Sequence, residues 1–402
     1  MGHAKRMLEF LDEHGYSGDQ EEYVCPKCVD DPFLKLALNQ QLDRVRCNFC
    51  NSRRAAPVTI LLEILSDTVR AYYNDAAGEL PYESAEGGYI FQTMDTRDIL
   101  EQLDQWWSAD NLLDYVVDQF ADVCWCKRDY FGLTRYEALT YGWDVFVRMV
   151  KNETRYLFFP EPSEGYSEHS EGVLPQNMLE ALRELFTEYK LFRTIALDQT
   201  LKRARVIKKG ERPSLASELG TAPSDAVSSP NRMSPAGIPM FYGAFRATTA
   251  IAETYEPRRG RGREIAIATF RPVKPLRLLD LTSLPPLPSV FDSGQRQHHD
   301  PVAFLRGFAR DLSKPVRRDG RSHTEYVPTQ IVTEFVRHRM RDPEVDGIVY
   351  SSSREIGAEA VVVFATQDQC VFRQDRAEWR SEQLLEMIDV EYRTPPRSQR
   401  RR

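Results

Sequence analysis

Two pairs of closely spaced cysteines are the residues in this sequence whose chemistry is easiest to name. Cys25 and Cys28 flank Pro-Lys, and Cys47 and Cys50 flank Asn-Phe, so each pair reads CxxC. Eighteen residues separate Cys28 from Cys47, a spacing typical of four-cysteine zinc sites. Four thiolates complete the tetrahedral coordination of Zn²⁺, so the pattern predicts a structural zinc ribbon. A redox dithiol and two unrelated turns are the alternatives.

Arginines surround the second cysteine pair, at Arg44, Arg46, Arg53 and Arg54. Such a cluster can contact nucleic-acid phosphates, although a solvated surface is the simpler interpretation. The whole chain has a formal net charge of −7 and an isoelectric point of about 5.7. A mildly acidic chain does not supply the basic field typical of nucleic-acid-binding proteins, so nucleic acid is not the favoured partner.

Length and composition limit the class of protein further. A chain of 402 residues, 42 % hydrophobic and 28 % charged, predicts two or three globular domains. No apolar run approaches the roughly 20 residues that a membrane span requires. The N-terminal residues lack the apolar core of a secretory signal, and the CxxC pairs indicate metal binding rather than disulfides. We therefore expect a cytoplasmic protein with no membrane partner.

The residue pattern changes along the chain and predicts four regions. Residues 1–65 hold the cysteine pairs. Residues 66–193 show apolar positions at helical spacing, for example Ile99, Leu100 and Leu103 after a cap at Asp95 or Thr96. Residues 194–392 alternate helical runs (248–255, 301–312, 329–341) with short β-like runs (265–270, 277–281, 347–350, 360–364), which predicts an α+β domain. Residues 393–402 form a basic, disordered tail.

An ordered series of short motifs follows residue 200. It comprises Leu201-Lys-Arg203-Ala-Arg205-Val, Asn231-Arg232-Met233, Tyr242-Gly243, Thr249-Ala-Ile-Ala-Glu253, Tyr326-Val-Pro328-Thr-Gln330 and Asp346-Gly347-Ile-Val-Tyr350-Ser-Ser352-Ser353. With these motifs, residues from about 203 to 364 resemble the RES-domain family, which is named for an Arg, a Glu and a Ser. The resemblance implies a fold like that of ADP-ribosyltransferases. It also implies an NAD-consuming activity, because characterised members are toxins that destroy NAD, some of them as NAD phosphorylases.

The helical region resembles the HEPN-type domains that precede some RES domains. Active HEPN ribonucleases carry an Arg and a His on one helix, and no such pair is evident here, which argues against ribonuclease activity. The predicted fold class is therefore multidomain: a four-Cys zinc ribbon, an all-α HEPN-like middle domain, and an α+β RES domain resembling the ADP-ribosyltransferase fold.

The resemblance also implies which residues form the site, when the motifs are matched position by position. It implies catalytic roles for Arg203, Arg232, Glu253 and Ser352, and substrate-binding roles for Arg205, Tyr242 and Ser353. Arg205 remains the alternative to Arg203 as the motif arginine, and Ser353 remains the alternative to Ser352.

These residue types suit cleavage of the bond between nicotinamide and ribose. That cleavage passes through an oxocarbenium-like sugar, as glycoside cleavage does, and a carboxylate such as Glu253 stabilises its developing positive charge. The planar fork of arginine suits a pyrophosphate or an attacking inorganic phosphate. The ring of Tyr242 can stack on the positively charged nicotinamide.

Two departures from the family pattern accompany this match. The second basic motif is often Gly-Arg, whereas this chain has Asn231-Arg232. Residues 208–230 form a long, loop-like stretch that is either a lid over the pocket or an insertion.

The leading hypothesis is an NAD-consuming enzyme, a phosphorylase or glycohydrolase, acting as a toxin-like effector, with a role in defence suggested by the domain fusion alone. ADP-ribosyl transfer to a protein is the nearest alternative. A zinc-ribbon protein that binds nucleic acid or senses a signal, with an inactive RES domain, is the alternative from another class. We expect structural zinc, NAD as substrate and inorganic phosphate as co-substrate. A second copy of the chain and a trigger or antitoxin-like protein are the candidate protein partners.

Overall fold

The structure is a computed structural model that describes residues 3–17, 21–85, 87–103, 105–156, 172–255, 262–315, 322–372 and 382–395. Most of the predicted basic tail, residues 396–402, lies outside these ranges. The chain divides into two compact units, Met1–Thr134 with Pro286–Val302, and Arg135–Pro285 with Ala303–Arg402. Within the described ranges, every helix is too short or too polar to cross a membrane.

The first unit is built from short helices and three two-stranded sheets. Its helices are α1 (His3–His14), α2 (Pro32–Gln40), α3 (Val58–Tyr72), α4 (Ala76–Glu79), α5 (Thr96–Gln102) and α6 (Asp110–Gln119). Its strands are β1 (Tyr23–Val24), β2 (Ala56–Pro57), β3 (Tyr73–Asp75), β4 (Tyr82–Glu83), β5 (Gly88–Tyr89) and β6 (Trp125–Lys127), which pair as β1–β2, β3–β6 and β4–β5.

Local sequence signals explain where these helices begin. The carboxylate of Asp31 accepts the N–H groups of Phe33 and Leu34 at the start of α2. Asp95 caps α5 in the same way through the N–H of Asp98, which confirms the predicted cap. The region predicted to be all-α is mainly helical but also contains β3 to β6, because β-forming aromatic residues there pair across the chain, as Tyr73 does with Lys127.

The two cysteine pairs lie together against the core of the first unit. Cys25, Cys28 and Cys47 are buried with Val24 and Leu34, whereas Cys50 is exposed. The sulfur atoms are 3.8 Å apart in the pair Cys25–Cys28, 3.3 Å in Cys25–Cys50 and 3.7 Å in Cys28–Cys47. All four lie within 4.8 Å of one another, an arrangement that can hold a metal ion. Two CxxC turns that are distant in the sequence therefore form one cluster.

The second unit consists of one large sheet with helices. Its helices are α7 (Arg135–Asn152), α8 (Met178–Glu188), α9 (Ala216–Leu219), α10 (Ala247–Thr254), α11 (His299–Ser313, whose first residues belong to the other unit's segment), α12 (Ser322–Glu325) and α13 (Val327–Arg339). Its strands are β7 (Phe192–Ile195), β8 (Leu201–Lys208), β9 (Phe241–Ala244), β10 (Arg263–Pro272), β11 (Leu276–Asp280), β12 (Gly347–Ser351), β13 (Glu359–Val363), β14 (Cys370–Phe372) and β15 (Leu385–Arg393). The predicted α+β character and the predicted runs of strand and helix are confirmed.

The nine strands are ordered β14-β15-β10-β8-β9-β13-β12-β11-β7. Neighbours are antiparallel except for the parallel pairs β11–β12 and β14–β15. Strands β8 and β10 pair over eight positions, but β8 and β9 pair at Lys202↔Ala244 alone. Beyond that pair the described ladder stops, so the two halves of the sheet separate between β8 and β9.

Two apolar layers cover the faces of this sheet. On one side, α7, α8, α11 and α13 supply buried side chains such as Phe146, Phe186 and Phe308, which pack with Ile348 of β12. On the other, Phe241 and Phe270 stack edge to face in a separate cluster. Apolar side chains therefore pack against both faces of the sheet.

Gly347 at the start of β12 offers a direct test of this packing. An added Cβ would lie 2.2 Å from the carbonyl oxygen of Val362 on β13, so we expect Gly347→Ala to lower the free energy of unfolding by about 1–3 kcal/mol. Gly307 in α11 has no atom within 4 Å of such a Cβ, and Gly307→Ala should leave stability unchanged or raise it by up to ~1 kcal/mol. Denaturant unfolding measures both. Equal stability of the two variants would contradict this packing.

Candidate active site

A cavity of about 830 Å³ opens in the second unit where β8 and β9 separate. Its volume lies within the roughly 300–1,000 Å³ of typical small-molecule sites. Four segments distant in the sequence contribute to its wall: β8, the loop from residue 220 to β9, α10, and the loop after β12. Six of the seven residues predicted for the site line it, namely Arg203, Arg205, Arg232, Tyr242, Glu253 and Ser353.

The seventh residue, Ser352, holds the carboxylate of Glu253. The hydroxyl of Ser352 donates to Glu253 Oε1 at 2.5 Å, and the serine itself is buried. The hydroxyl oxygen of Ser352 also accepts the backbone N–H groups of Arg354 and Glu355, each at 3.2 Å. Because these two donors fix the orientation of the hydroxyl, its proton points at the carboxylate. Glu253 is therefore oriented by the turn that follows β12.

The structure separates the two serines that the sequence left as alternatives. Ser352 contacts the carboxylate of Glu253, whereas Ser353 lies in the cavity wall with its hydroxyl 3.5 Å from Nη2 of Arg232. The turn that begins after β12 directs the two side chains to different neighbours. The loop is tied to α10 a second time, since the hydroxyl of Thr249 donates to Glu355 at 2.7 Å.

Arg203 occupies the break in the sheet. Its Nη1 donates to the carbonyl oxygen of Tyr242 at 2.7 Å, and its guanidinium lies 5.3 Å from the ring centre of Phe241. Tyr242 is on the part of β9 that no longer pairs with β8, so a side chain satisfies its carbonyl in place of a ladder bond. Burial lowers the pKa of the Arg203 guanidinium, which nevertheless stays charged because arginine does not lose its proton in proteins.

Arg205 follows two positions later on β8 and therefore points to the same face as Arg203. Its side chain is exposed, and its Nη1 donates to the carbonyl of Glu218 at the end of α9. Residues of the stretch 208–230, among them Gly220, Ala222 and Val227, line the cavity. The buried hydroxyl of Thr221 donates to the carbonyl of Ala365 at 2.9 Å, which fastens this stretch to the sheet. The loop-like stretch is therefore part of the cavity wall.

Arg232 is half-buried and held by backbone oxygens. Its Nη1 donates to the carbonyls of Leu312 and Lys314, both at 2.7 Å, just at and beyond the end of α11. The amide of Gln330 donates to the carbonyl of Asn231 at 2.8 Å, which positions the loop that carries the arginine. Gln330 thus acts on the site indirectly, through the placement of Arg232.

The charges of the cavity wall do not balance. Four arginines line it, namely Arg203, Arg205, Arg232 and Arg354, and among the described lining residues Glu253 is the sole carboxylate. In the described part of the chain these four arginines form no ion pair; the three with hydrogen-bond acceptors use neutral backbone carbonyls. Carbonyl acceptors leave the positive charge uncompensated, so the cavity is suited to an anionic ligand.

Tyr242 contributes an aromatic wall with a protonated hydroxyl. Burial raises its pKa to about 12, and its hydroxyl is 2.9 Å from that of Ser234. The phenol therefore stays neutral at physiological pH.

Three further residues of the wall were not among the predicted site residues. Tyr350 and Arg354 lie two positions before and after Ser352, a spacing that could have indicated a shared location. Burial, and then the charge of Glu253, raises the pKa of Tyr350. Tyr326 begins one of the quoted sequence motifs and lies at the start of α13, with its ring centre 5.6 Å from the guanidinium carbon of Arg232.

Two segments of the chain match known family models. Residues 40–164 match the family model described as HEPN/RES N-terminal domain 1, and residues 203–385 match the model described as RES domain. Neither a curated protein nor a solved structure matches the chain significantly. The second match contains β8 to β14 and every residue predicted for the site. The chain therefore contains a RES domain, with a HEPN/RES N-terminal domain ahead of it.

Proposed function

We propose that this protein is an enzyme that consumes NAD by breaking the bond between nicotinamide and ribose, with inorganic phosphate as the acceptor. The observation that carries the proposal is one oriented carboxylate, Glu253, in a cavity otherwise lined by uncompensated arginines. The family's association with NAD-processing, toxin-like proteins supports the same conclusion. In a cell, the activity would act as a toxin-like effector by removing NAD.

The proposed chemistry uses the charge of the carboxylate at the reacting sugar. As the glycosidic C–N bond breaks, its electron pair moves to the pyridinium nitrogen and nicotinamide leaves neutral. Positive charge then develops on the ribose, and Glu253, held by Ser352, stabilises it. A carboxylate that is already oriented needs no reorganisation at that moment, which makes its contribution large.

The arginines on β8 supply the binding of the substrate's phosphates. Arg203 and Arg205 point to one face, about 6.6–6.8 Å apart along the strand. A diphosphate offers several oxygens to two such forks. The neutral phenol of Tyr242 and its ring give the nicotinamide an aromatic surface at the same break in the sheet.

Substitution of the carboxylate tests the proposal. Glu253→Gln keeps the shape but removes the charge, and we expect NAD turnover by the purified protein to fall by about 10²–10³-fold. Glu184→Gln, at an exposed position of α8 away from the cavity, is the matched control and should retain full turnover. Circular dichroism would verify that both variants are folded.

Equal NAD turnover in Glu253→Gln and the wild type would refute this role. The products identify the acceptor: ADP-ribose 1″-phosphate indicates phosphate, free ADP-ribose indicates water, and an ADP-ribose label on a protein indicates transfer. Only the first product agrees with the proposed acceptor, while all three agree with NAD consumption.

The hydroxyl of Ser352 provides a second test because it acts through Glu253. A hydrogen bond to a charged group contributes roughly 1.5–3 kcal/mol, so Ser352→Ala should lower kcat about 10- to 100-fold with little change in the KM for NAD. Ser352→Thr keeps the hydroxyl and should restore most of kcat. An increase in KM at constant kcat would show instead that the serine binds substrate.

We also propose that the four cysteines hold a structural zinc ion. A tetrahedron with Zn–S bonds of about 2.3 Å has S–S edges of about 3.8 Å, and the sulfur pairs Cys25–Cys28 and Cys28–Cys47 lie at 3.8 and 3.7 Å. The four thiolates leave no position for a substrate, so the ion would stabilise the first unit and take no part in the chemistry.

Elemental analysis tests the metal site. The wild type should contain one zinc per chain, whereas Cys47→Ser should lose the metal and unfold at a lower temperature, because the remaining thiols no longer complete the tetrahedron. Cys124→Ser is the control, since Cys124 is exposed and outside the cluster. A Cys47→Ser protein with a full zinc content would exclude the site.

A further inference from the structure

The four arginines of the cavity fall into two groups on different structural elements. Arg203 and Arg205 belong to β8, and Arg232 and Arg354 belong to loops. On β8, Ala204 points to the opposite face from the two arginines and packs in one cluster with Ala250 of α10, the helix that carries Glu253. Helix α10 therefore covers one face of β8, and the two β8 arginines project from the other face.

One arginine of the second group, Arg354, lies in the turn that orients Glu253, whereas Arg232 lies in the loop before β9. The N–H of Arg354 donates to the hydroxyl of Ser352 at 3.2 Å, and the same hydroxyl donates to Glu253. Ser353 lies between Ser352 and Arg354 in the sequence, and its hydroxyl is 3.5 Å from Nη2 of Arg232. Arg232, Ser353 and Arg354 thus line the cavity beside the carboxylate, and we call them the loop group.

The loop group has the properties of a site for a small anion. The carbonyls of Leu312 and Lys314 both bind Nη1 of Arg232, which leaves Nη2 directed toward Ser353. Neither Arg232 nor Arg354 forms an ion pair within the described ranges of the chain. A tetrahedral oxyanion can accept from both guanidinium groups and from the hydroxyl, which together satisfy its oxygens.

We infer that the loop group binds the inorganic phosphate that accepts the ribose, and that Arg354 is its main cationic ligand. This inference rests on the proposed cleavage of NAD. A single diphosphate can be held by the β8 pair alone, so a second cationic group next to Glu253 provides for a second anion. Its position beside the carboxylate places an oxygen nucleophile near the carbon that loses nicotinamide.

The reaction balances without a further reactant. An oxygen of HPO₄²⁻ forms a bond to C1 of the ribose while the C–N bond breaks, and the electron pair of that bond neutralises the pyridinium ring. The products are neutral nicotinamide and ADP-ribose 1″-phosphate, which retains the proton of the attacking phosphate. No base is required, and the guanidinium groups keep a dianion next to a carboxylate that would otherwise repel it.

The full-length protein tests this assignment through its dependence on phosphate. In Arg354→Gln, kcat/KM for phosphate should fall about 10- to 100-fold, the effect of losing a charge-assisted hydrogen bond. The loss of NAD in the absence of phosphate should fall by a smaller factor than the phosphate-dependent reaction, because the β8 pair and Glu253 are intact. Ser353→Ala should show a smaller loss of the same kind. Arg277→Gln, an exposed arginine of β11 outside the cavity, is the matched control and should behave as the wild type.

Two outcomes would overturn the assignment, and a third would leave it to a binding measurement. If the wild type consumes NAD to free ADP-ribose at a rate that phosphate does not change, the subsite is wrong while the proposed consumption of NAD stands. If Arg354→Gln lowers both rates equally, the arginine serves NAD rather than phosphate. If the wild type consumes no NAD, the proposed function fails, and equilibrium dialysis with labelled phosphate decides the subsite: binding that Arg354→Gln weakens supports it, and absence of binding in the wild type refutes it.

Discussion

The break in the large sheet is the feature on which the site depends. Strands β8 and β9 share one paired position, Lys202↔Ala244, although each is fully paired to its other neighbour. A continuous ladder would have closed the space in which the cavity lies and consumed the backbone groups of both strands. Arg203 satisfies the freed carbonyl of Tyr242, so the side chain that stabilises the break is also a cation of the cavity. Packing on both faces keeps the two halves of the sheet in place.

A single hydroxyl links the rest of the site to this break. Ser352 accepts two backbone N–H groups and donates to Glu253, so it joins the end of β12 to α10. That junction fixes the backbone of Arg354 next to the serine that holds the carboxylate. Serine suits the junction because it can accept two hydrogen bonds while donating one. The chemistry and the folding of the loop therefore depend on the same three hydrogen bonds.

Features of the fold that arise from local patterns could be predicted from the sequence. The cysteine cluster followed from two CxxC turns, since each turn brings two ligands together by itself. Helix α10 with Glu253, and strands such as β10 and β12, followed from apolar periodicity. Six predicted site residues line one cavity because the order of the motifs carries the topology of the family.

Features that depend on distant contacts could not be predicted. The break at Lys202↔Ala244 is an absence of pairing, which no periodicity encodes. Arg232 is held by the carbonyls of Leu312 and Lys314, which are 80 and 82 positions further along the chain. Nothing in the sequence of its loop indicates these partners. The short strands β3 and β6 were missed in a region predicted to be all-α, because they pair with each other across about 50 residues of the chain. The sequence motifs thus predicted residues that gather at one cavity, whereas the structure gives the contacts that hold them.

The charge of the whole chain and the charge of the cavity have opposite signs, and this contrast bears on selectivity. A net charge of −7 repels anions from the surface at long range, where salt also screens the interaction. Inside the cavity, four arginines face one carboxylate, and their carbonyl partners do not neutralise them. An anion therefore gains its binding energy only after it enters the cavity, where guanidinium forks favour phosphate geometry over simple negative charge. Selection by geometry at short range suits the proposed binding of a dinucleotide and a small oxyanion side by side.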